Sequence, residues 1–257
     1  KRKVFPELIN LLKFRDDDLR IAIIKNLGDI GLTEQKTISK LTKLLKISSP
    51  IVQINILQSL RKIKNFKDSI PEIEKLLASN NKDLQQEAVV TIAQEDIAFA
   101  QKNISLLAEI LINISENRTK IDIINILKIL KEKAKLAIPN LTKMLEEECI
   151  ISLKEKDIIT SITVESAKAL LEIDKETKTI IIQKWLNFLK IHCDNWNRSR
   201  NELLFSILRA VLNLKLSEDM KEAVIPLIKI LNHSNQSIRS IIIPVLKTMG
   251  NTEDDID

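Results

Sequence analysis

The sequence predicts an all-α protein built from stacked helix pairs, and three observations support this fold class. Only three glycines occur in 257 residues, whereas sheets and barrels need glycine at many turns. Apolar residues recur at helical spacing, as in Val4, Leu8, Leu11 and Leu12. The same two-helix pattern returns 33 residues later. With 44% hydrophobic and 29% charged residues, a folded chain with a substantial core is expected.

The repeat becomes visible when residues 5–30 are aligned with residues 38–63, so that Leu8 meets Leu41. In this alignment the acidic run Asp16–Asp18 meets a serine, a proline and an isoleucine. A metal or catalytic cluster would not be replaced by such residues in the next unit. We therefore expect the acidic run to be a turn that caps a helix.

Each unit consists of two predicted amphipathic helices joined by a polar turn, and several first helices begin near a proline. One helix pair cannot bury both of its apolar faces, so neighbouring pairs are expected to stack into an α-solenoid. The fifth unit contains an enlarged turn, and the sixth is the least regular. The expected repeats span residues 1–31, 32–68, 69–103, 104–137, 138–175, 176–222 and 223–250, followed by an acidic tail at 251–257.

Several features of these units resemble HEAT repeats: the Pro-x-Leu opening, the polar turn and the Val/Leu-Arg entry to the second helix. The closest matches are Leu19-Arg20 followed by NLGDIG, and Ile238-Arg239 followed by LKTMG. The resemblance implies an armadillo-like, right-handed α-solenoid of about seven HEAT-like repeats, forming a single domain over residues 1–257. HEAT arrays serve as scaffolds, transport receptors and enzyme regulators, and occasionally as enzymes.

The two ends of the sequence suggest that it is part of a longer or processed chain. The first residue is Lys1, and the last predicted helix, IRSIIIPVLKTMG, is apolar around much of its circumference. A terminal repeat normally turns a polar side to water. We therefore expect the sequence to be a segment of a larger protein.

No arrangement of residues predicts an enzyme, a metal site or a cofactor. The phosphate-binding patterns GxxxxGK[ST] and GxGxxG are both missing from the sequence. The contiguous stretch His192–Asp194 lies at a predicted turn, where neighbouring side chains point in different directions. His233 has no cysteine nearby for a zinc site, and the acidic runs Asp16–Asp18 and Glu146–Glu148 lack a second ligand set.

Both tryptophans fall in the sixth repeat. Trp185 lies on a helical stripe with Leu186 and is expected in the core. Trp196 lies in a polar turn close to Arg198 and Arg200. It is expected either to pack partly against a neighbouring repeat or, if exposed, to form an interface hot spot.

HEAT solenoids line their concave side with the second helix of each repeat, so the resemblance implies where a partner would bind. The candidate partner-binding residues are Lys25, Asp29, Asn55, Gln58, Lys62, Glu87, Gln94, Asp122, Asn125 and Lys128, together with Trp196, Arg198 and Arg200. Acidic residues interrupt the basic ones, whereas a groove for phosphates should be dominated by lysine and arginine. A solvated face and a true binding surface both remain open.

The resemblance also implies a structural role for the helix-entry positions. Arg20, Gln53, Lys120 and Arg239 occupy this column, which in HEAT families commonly makes hydrogen bonds between repeats.

The leading functional prediction is a non-enzymatic scaffold or regulatory module that binds another protein. Charge alternates along the chain, with eight basic and two acidic residues in 32–68, but three basic and six acidic in 69–103. Such patches suit a protein of complementary charge. The alternative is a nucleic-acid-binding solenoid that resembles HEAT-like DNA glycosylases, and a HEAT-like enzyme ranks last.

The sequence further predicts a cytoplasmic protein that does not span a membrane. Two cysteines, Cys149 and Cys193, are too few for a disulfide framework, and no apolar run approaches the roughly 20 residues needed to cross a bilayer.

Overall fold

The computed structural model describes residues 5–30, 35–145, 156–194, 196, 200–233 and 236–250. All regular elements in these residues are helices, and none is a strand. The chain divides into two compact units, Lys1–Ile110 and Leu111–Asp257. Stacked helix pairs make up each unit, which confirms the all-α solenoid class. The handedness of the solenoid and the repeat boundaries remain predictions.

The first unit is formed by seven helices and the start of an eighth. These are α1 (Phe5–Leu11), α2 (Asp17–Ile30), α3 (Gln35–Leu45), α4 (Pro50–Ile63), α5 (Ile70–Glu74), α6 (Lys82–Glu95), α7 (Ile97–Lys102) and α8 (Ile104–Asn113). Short 3-10 segments flank α5 at Lys67–Ser69 and Lys75–Ala78. The short helix α7 is an addition that the repeat pattern does not predict.

Polar side chains at the turns determine where several second helices begin. A side-chain oxygen of Asp16 accepts a hydrogen bond from the Leu19 amide at 2.9 Å, and Asn81 caps α6 in the same way. Asp17 and Asp18 lie in the first turn of α2, where negative charge stabilises the helix dipole. The expectation of a capping turn at Asp16–Asp18 is therefore confirmed.

The core of the first unit lies where α2, α4 and α6 pack side by side, with α3 and α5 against them. Equivalent positions of successive second helices are buried, as at Leu27, Leu60 and Ile92. By contrast, Leu19 and Ile30 of α2 are 38% and 51% exposed, although the apolar pattern assigns them to the core. Within the described residues, α2 has a second-helix neighbour on one side only, whereas α4 lies between two.

Within the described residues, the second unit contains the end of α8 and seven further helices. These are α9 (Asn117–Leu130), α10 (Ile138–Met144), α11 (Lys156–Ile173), α12 (Thr177–His192), α13 (Asn201–Asn213), α14 (Val224–His233) and α15 (Gln236–Thr248). Two 3-10 segments, Lys131–Ala137 and Glu218–Ala223, precede α10 and α14. Helix α11 packs between α9 and α13, and α13 packs against α15. Trp185 on α12 is fully buried, which confirms its predicted core position.

The close approach of α2 and α4 depends on a glycine. A Cβ atom added to Gly28 would lie 2.9 Å from Oγ and 3.1 Å from the backbone Cα of Ser59. The Ser59 hydroxyl donates a hydrogen bond to the Ile24 carbonyl at 2.9 Å, so the two helices are also joined at this crossing. A side chain at position 28 would therefore force the helices apart.

We expect Gly28→Ala to destabilise the protein by about 1–3 kcal/mol, because overpacking at the crossing outweighs the gain of about 1 kcal/mol in helix propensity. Urea unfolding measures the effect. Asn26→Ala, at an exposed position of the same helix, is the control and should change stability much less. A more stable Gly28→Ala variant would show that α2 and α4 do not approach this closely.

Candidate functional site

The exposed sides of the second helices form the candidate site. In the first unit this surface, here called the second-helix face, is defined by Lys25, Asp29, Gln58, Lys62 and Gln94. Lys25 and Asp29 are exposed, and the other three are partly buried. The side-by-side packing of α2, α4 and α6 brings these residues into one surface.

Polar contacts between helices hold part of this face in register. The Lys62 ammonium lies 2.7 Å from the Asp29 carboxylate, joining α4 to α2. Gln94 on α6 donates to the Arg61 carbonyl of α4 at 3.1 Å. Lys25 makes no hydrogen bond or ion pair within the described residues, and is therefore available to a partner.

Beneath the face lies a buried ion pair between α4 and α6. Arg61 and Glu87 are 2.5 Å apart, and their side chains are only 1% and 3% exposed. The Arg61 guanidinium also donates to the Thr91 hydroxyl at 3.0 Å, and Gln58 donates to Glu87 at 3.1 Å. This network satisfies the charges that burial would otherwise penalise.

Burial corrects the candidate list at two positions. Glu87 belongs to the ion pair, and Asn55 is 7% exposed and donates to the Ile51 carbonyl at 2.8 Å. Glu87 faces Arg61 of the neighbouring helix, whereas Asn55 is bonded to its own helix; both are buried because a second helix with neighbours on both sides keeps only a narrow exposed strip. Neither residue is available to a partner in this structure.

An equivalent ion pair occurs in the second unit. Lys128 on α9 lies 2.8 Å from Glu165 on α11, and Lys168 contacts the other oxygen of the same carboxylate at 2.7 Å. The partners are 26 residues apart for Arg61 and Glu87 but 37 apart for Lys128 and Glu165.

The remaining candidates of α9 lie near this pair. Asp122 is 3.5 Å from Arg118, one helical turn away, and Asn125 is partly buried. Sequence reasoning missed Arg61 and Glu165. No fixed sequence spacing identifies both pairs, because their partners are 26 and 37 residues apart.

Two lysines lower the pKa of Glu165. Burial alone would raise this pKa, but hydrogen bonds and charge attraction from Lys128 and Lys168 outweigh it. The Glu165 carboxylate is therefore ionised and holds two cations from two helices.

The tryptophan in the sixth repeat packs within its own helix pair. The Trp196 indole donates to the Asn201 side chain at 2.9 Å and meets the Phe188 ring edge-to-face, with centroids 6.3 Å apart. The ring is partly buried, and Arg200 beside it is partly buried as well. Arg198 lies outside the described residues.

The stretch His192–Asp194 does not converge on one point. Helix α12 ends at His192, the Cys193 thiol donates to the Lys190 carbonyl at 3.4 Å, and Asp194 pairs with Lys229 at 2.7 Å. The described residues include no group of three histidines, cysteines or carboxylates suited to hold a metal ion. The run Glu146–Glu148 lies outside them.

At two positions of the helix-entry column, a glutamine joins the two helices of its own repeat. Gln53 donates to the Leu45 carbonyl at 2.6 Å, and Gln85 donates to the Leu77 carbonyl at 2.7 Å. Both amides thus cover a free carbonyl at the end of the first helix. Arg239 is exposed, whereas Arg20 and Lys120 are buried, at 8% and 5% exposure. The inter-repeat bonds implied by the resemblance are therefore corrected for Gln53.

The first unit also has an apolar groove of about 260 Å³ where α6 meets α7 and α8. Val89, Phe99 and Leu106 contribute to its lining, and no charged residue does. The α6 residues of the groove lie on the opposite side of that helix from Glu87 and Thr91, which contact α4.

Comparison with known proteins supports the fold. Residues 5–93 match the family model described as HEAT repeats, which spans α1 to most of α6. A search of curated proteins gives no match to the chain. Within the residues that the structure describes, none of the helices has the length and apolarity required to cross a bilayer.

We expect Arg61→Met to destabilise the fold by about 3–5 kcal/mol, because it leaves Glu87 buried without its cation. The double variant Arg61→Met/Glu87→Met should recover at least half of this loss, since it removes both charges. Lys62→Met, at a partly exposed ion pair, is the control and should cost less than about 1 kcal/mol. Unfolding in urea measures all three; equal effects of Arg61→Met and Lys62→Met would contradict the buried pair.

The lowered pKa of Glu165 makes part of the stability dependent on pH. Its ionised form stabilises the fold fully above the ordinary glutamate value of 4.5, and this contribution is lost as the pH falls through the lowered pKa. Glu165→Gln should therefore show a flatter decline of unfolding free energy below about pH 4.5. Glu172→Gln, at an exposed position of α11, is the control. Identical pH profiles for wild type and Glu165→Gln would argue against the two-lysine contact.

Proposed function

Because residues 5–93 match the family model described as HEAT repeats, we propose that the chain is a non-enzymatic protein-interaction module. HEAT repeats commonly mediate protein–protein interactions. In this proposal the second-helix face binds a segment or domain of a partner protein, and the chain acts as a scaffold or regulator. We also propose a cytoplasmic location, in keeping with the low cysteine count.

The observation that carries the proposal is the mixed chemistry of the second-helix face. Lys25 offers a cation without an internal partner, while Asp29 and Lys62 form an exposed pair. Two isoleucines in the first half of α4 add apolar surface: Ile51 is 56% exposed and Ile54 is partly buried. Apolar patches rimmed by charges of both signs are typical of surfaces that recognise proteins.

The buried network beneath the face supports a binding role. Gln58 is hydrogen-bonded to Glu87, and Glu87 to Arg61. These bonds restrict the conformations of the exposed side chains of α4. Fixed side chains lose less conformational entropy when they bind. The face is therefore suited to a partner of matching shape and charge.

The second unit offers comparable chemistry for the same partner class. Arg118 and Asp122 form a partly exposed pair, and Lys168 is 39% exposed beside Glu165. Arg209 on α13 is exposed and lies over the Phe205 ring at 5.3 Å. Trp196 and Arg200 are secondary candidates, because both are partly buried.

Nucleic-acid binding is the alternative, and the charges of the first unit argue against it at this face. Asp18 and Asp83 are exposed at equivalent positions of α2 and α6, and Asp29 is exposed further along. A surface that follows a phosphate backbone should be dominated by cations. The carboxylates would repel phosphates along the whole strip.

The test is affinity capture from a nuclease-treated extract of the source organism, followed by mass spectrometry. We expect Lys25→Glu/Gln58→Glu to reduce capture of specific proteins about tenfold, because two new carboxylates oppose the partner's charges. Lys102→Glu/Lys175→Glu carries a comparable change of charge at exposed positions away from the face and should retain those proteins. Circular dichroism should show unchanged helicity in both variants.

Two results would contradict the proposal. One is a set of captured proteins that is unaffected by Lys25→Glu/Gln58→Glu. The other is capture that disappears when nuclease is added, together with micromolar binding of random-sequence duplex DNA that weakens steeply with salt. The second result would favour the nucleic-acid alternative.

A further inference from the structure

The outer side of α3 carries a row of lysines that the second-helix face does not include. Lys36, Lys40 and Lys43 recur at i, i+4 and i+7, and α3 contains no acidic residue. Lys36 and Lys43 are exposed and Lys40 is partly buried. The buried residues of α3 occupy the other side of the helix. These three lysines are here called the basic stripe.

The basic stripe has no carboxylate partner within the described residues. Two acidic groups on the neighbouring repeat are already engaged. Glu72 holds Lys46 at 3.1 Å and Lys75 at 2.9 Å, and these hydrogen bonds lower its pKa. Asp68 accepts a hydrogen bond from Gln35 at 3.0 Å. Like charges one turn apart destabilise a helix, so the stripe is a site where an external anion would relieve repulsion.

An exposed apolar pair continues the stripe at its C-terminal end. Ile47 follows at i+11 and is 73% exposed, and Phe14, its equivalent in the first repeat, is 48% exposed. Ser49 donates to Asp17 at 2.6 Å, which links the chain segments that follow the turns of Phe14 and Ile47. Large exposed side chains beside charges often mark a protein-binding surface.

We propose that this surface binds an acidic segment of a partner protein that carries a large apolar residue at one end. Its carboxylates pair with Lys36, Lys40 and Lys43, and its apolar residue packs on Phe14 and Ile47. The stripe rises about 6 Å from Lys36 to Lys40 and about 4.5 Å from Lys40 to Lys43, and Ile47 lies beyond the end of α3 at Leu45. Alternate side chains of an extended segment are about 6.6 Å apart, close to the first of these steps, and the flexible lysine side chains accommodate the shorter second step.

The composition of the surface favours a protein segment over other anions. A phosphate backbone would use the lysines but leave Phe14 and Ile47 in water, and the stripe contains no arginine for paired contacts to phosphate. An anionic membrane would have to meet Asp16 and Asp18, both exposed beside Phe14, and these carboxylates repel its headgroups. The acidic end of a peptide, by contrast, lies at Lys36, far from these aspartates.

A fluorescence-anisotropy titration of the full chain tests the proposal. The probe is a labelled peptide of about eight residues with three glutamates on alternate positions followed by Leu-Phe. We expect Lys36→Gln/Lys40→Gln/Lys43→Gln to weaken its binding about tenfold, since three exposed ion pairs are lost. Lys175→Gln/Lys215→Gln/Lys221→Gln removes the same charge from exposed lysines of the second unit and should leave affinity unchanged.

Further variants and ligands test the apolar contribution to binding and distinguish a peptide from other anions. Ile47→Ser should weaken binding of the probe about threefold, and a probe with glutamine in place of glutamate should not bind. Equal losses in both lysine variants, or no binding of the probe to the wild type, would overturn the proposal. So would duplex DNA or phosphatidylserine vesicles that bind at the stripe while the probe does not. Lys25→Glu/Gln58→Glu should not affect the probe, which separates this surface from the second-helix face.

Discussion

The side-by-side packing of second helices is the constraint on which the structure of each unit depends. A helix pair leaves apolar residues exposed on both of its sides, and these are removed from water only when the next pair covers them. In the first unit, the packing requires the glycine at position 28, where α2 and α4 approach most closely. It also requires that charged side chains between α4 and α6 find partners, which Arg61 and Glu87 do. The Lys128–Glu165 pair is equivalent to Arg61–Glu87, so in both units an ion pair joins two successive second helices.

This constraint determines which polar residues remain available for function. Side chains that are buried in the layer of second helices, such as Glu87 and Asn55, are used for packing and hydrogen bonding. Polar side chains of α2, such as Lys25 and Asp29, stay exposed. The first helix of a repeat differs in its packing, since only one side of α3 is buried. A basic stripe can therefore persist there without affecting the core, and the molecule presents two chemically different surfaces.

Repetition made the fold predictable from sequence, because an apolar position that recurs every 33 residues predicts both the helices and their stacking. The capping role of Asp16 followed from the same alignment. The exposure of Leu19 and Ile30 could not be predicted from periodicity, since it depends on how many neighbours α2 has rather than on its own pattern. For the candidate site, periodicity located the exposed strip, but it could not separate Gln58 from Glu87. The two side chains differ by a fraction of a turn in their direction from the helix axis, and Glu87 pairs with a cation, Arg61, of the adjacent helix. The position of Trp196 against Phe188 likewise depends on contacts that no local pattern contains.

The central claim is that α2, α4 and α6 form one cooperative layer that holds the second-helix face in register. Native-state hydrogen exchange, followed by mass spectrometry at increasing urea concentration, tests it most directly. The account predicts that the amides of α4 and α6 exchange through one common opening with the same free energy and the same dependence on urea, and that the Gly28 end of α2 opens with them. Separate openings of α4 and α6, with different free energies, would contradict the claim and would show that the face is not a fixed surface.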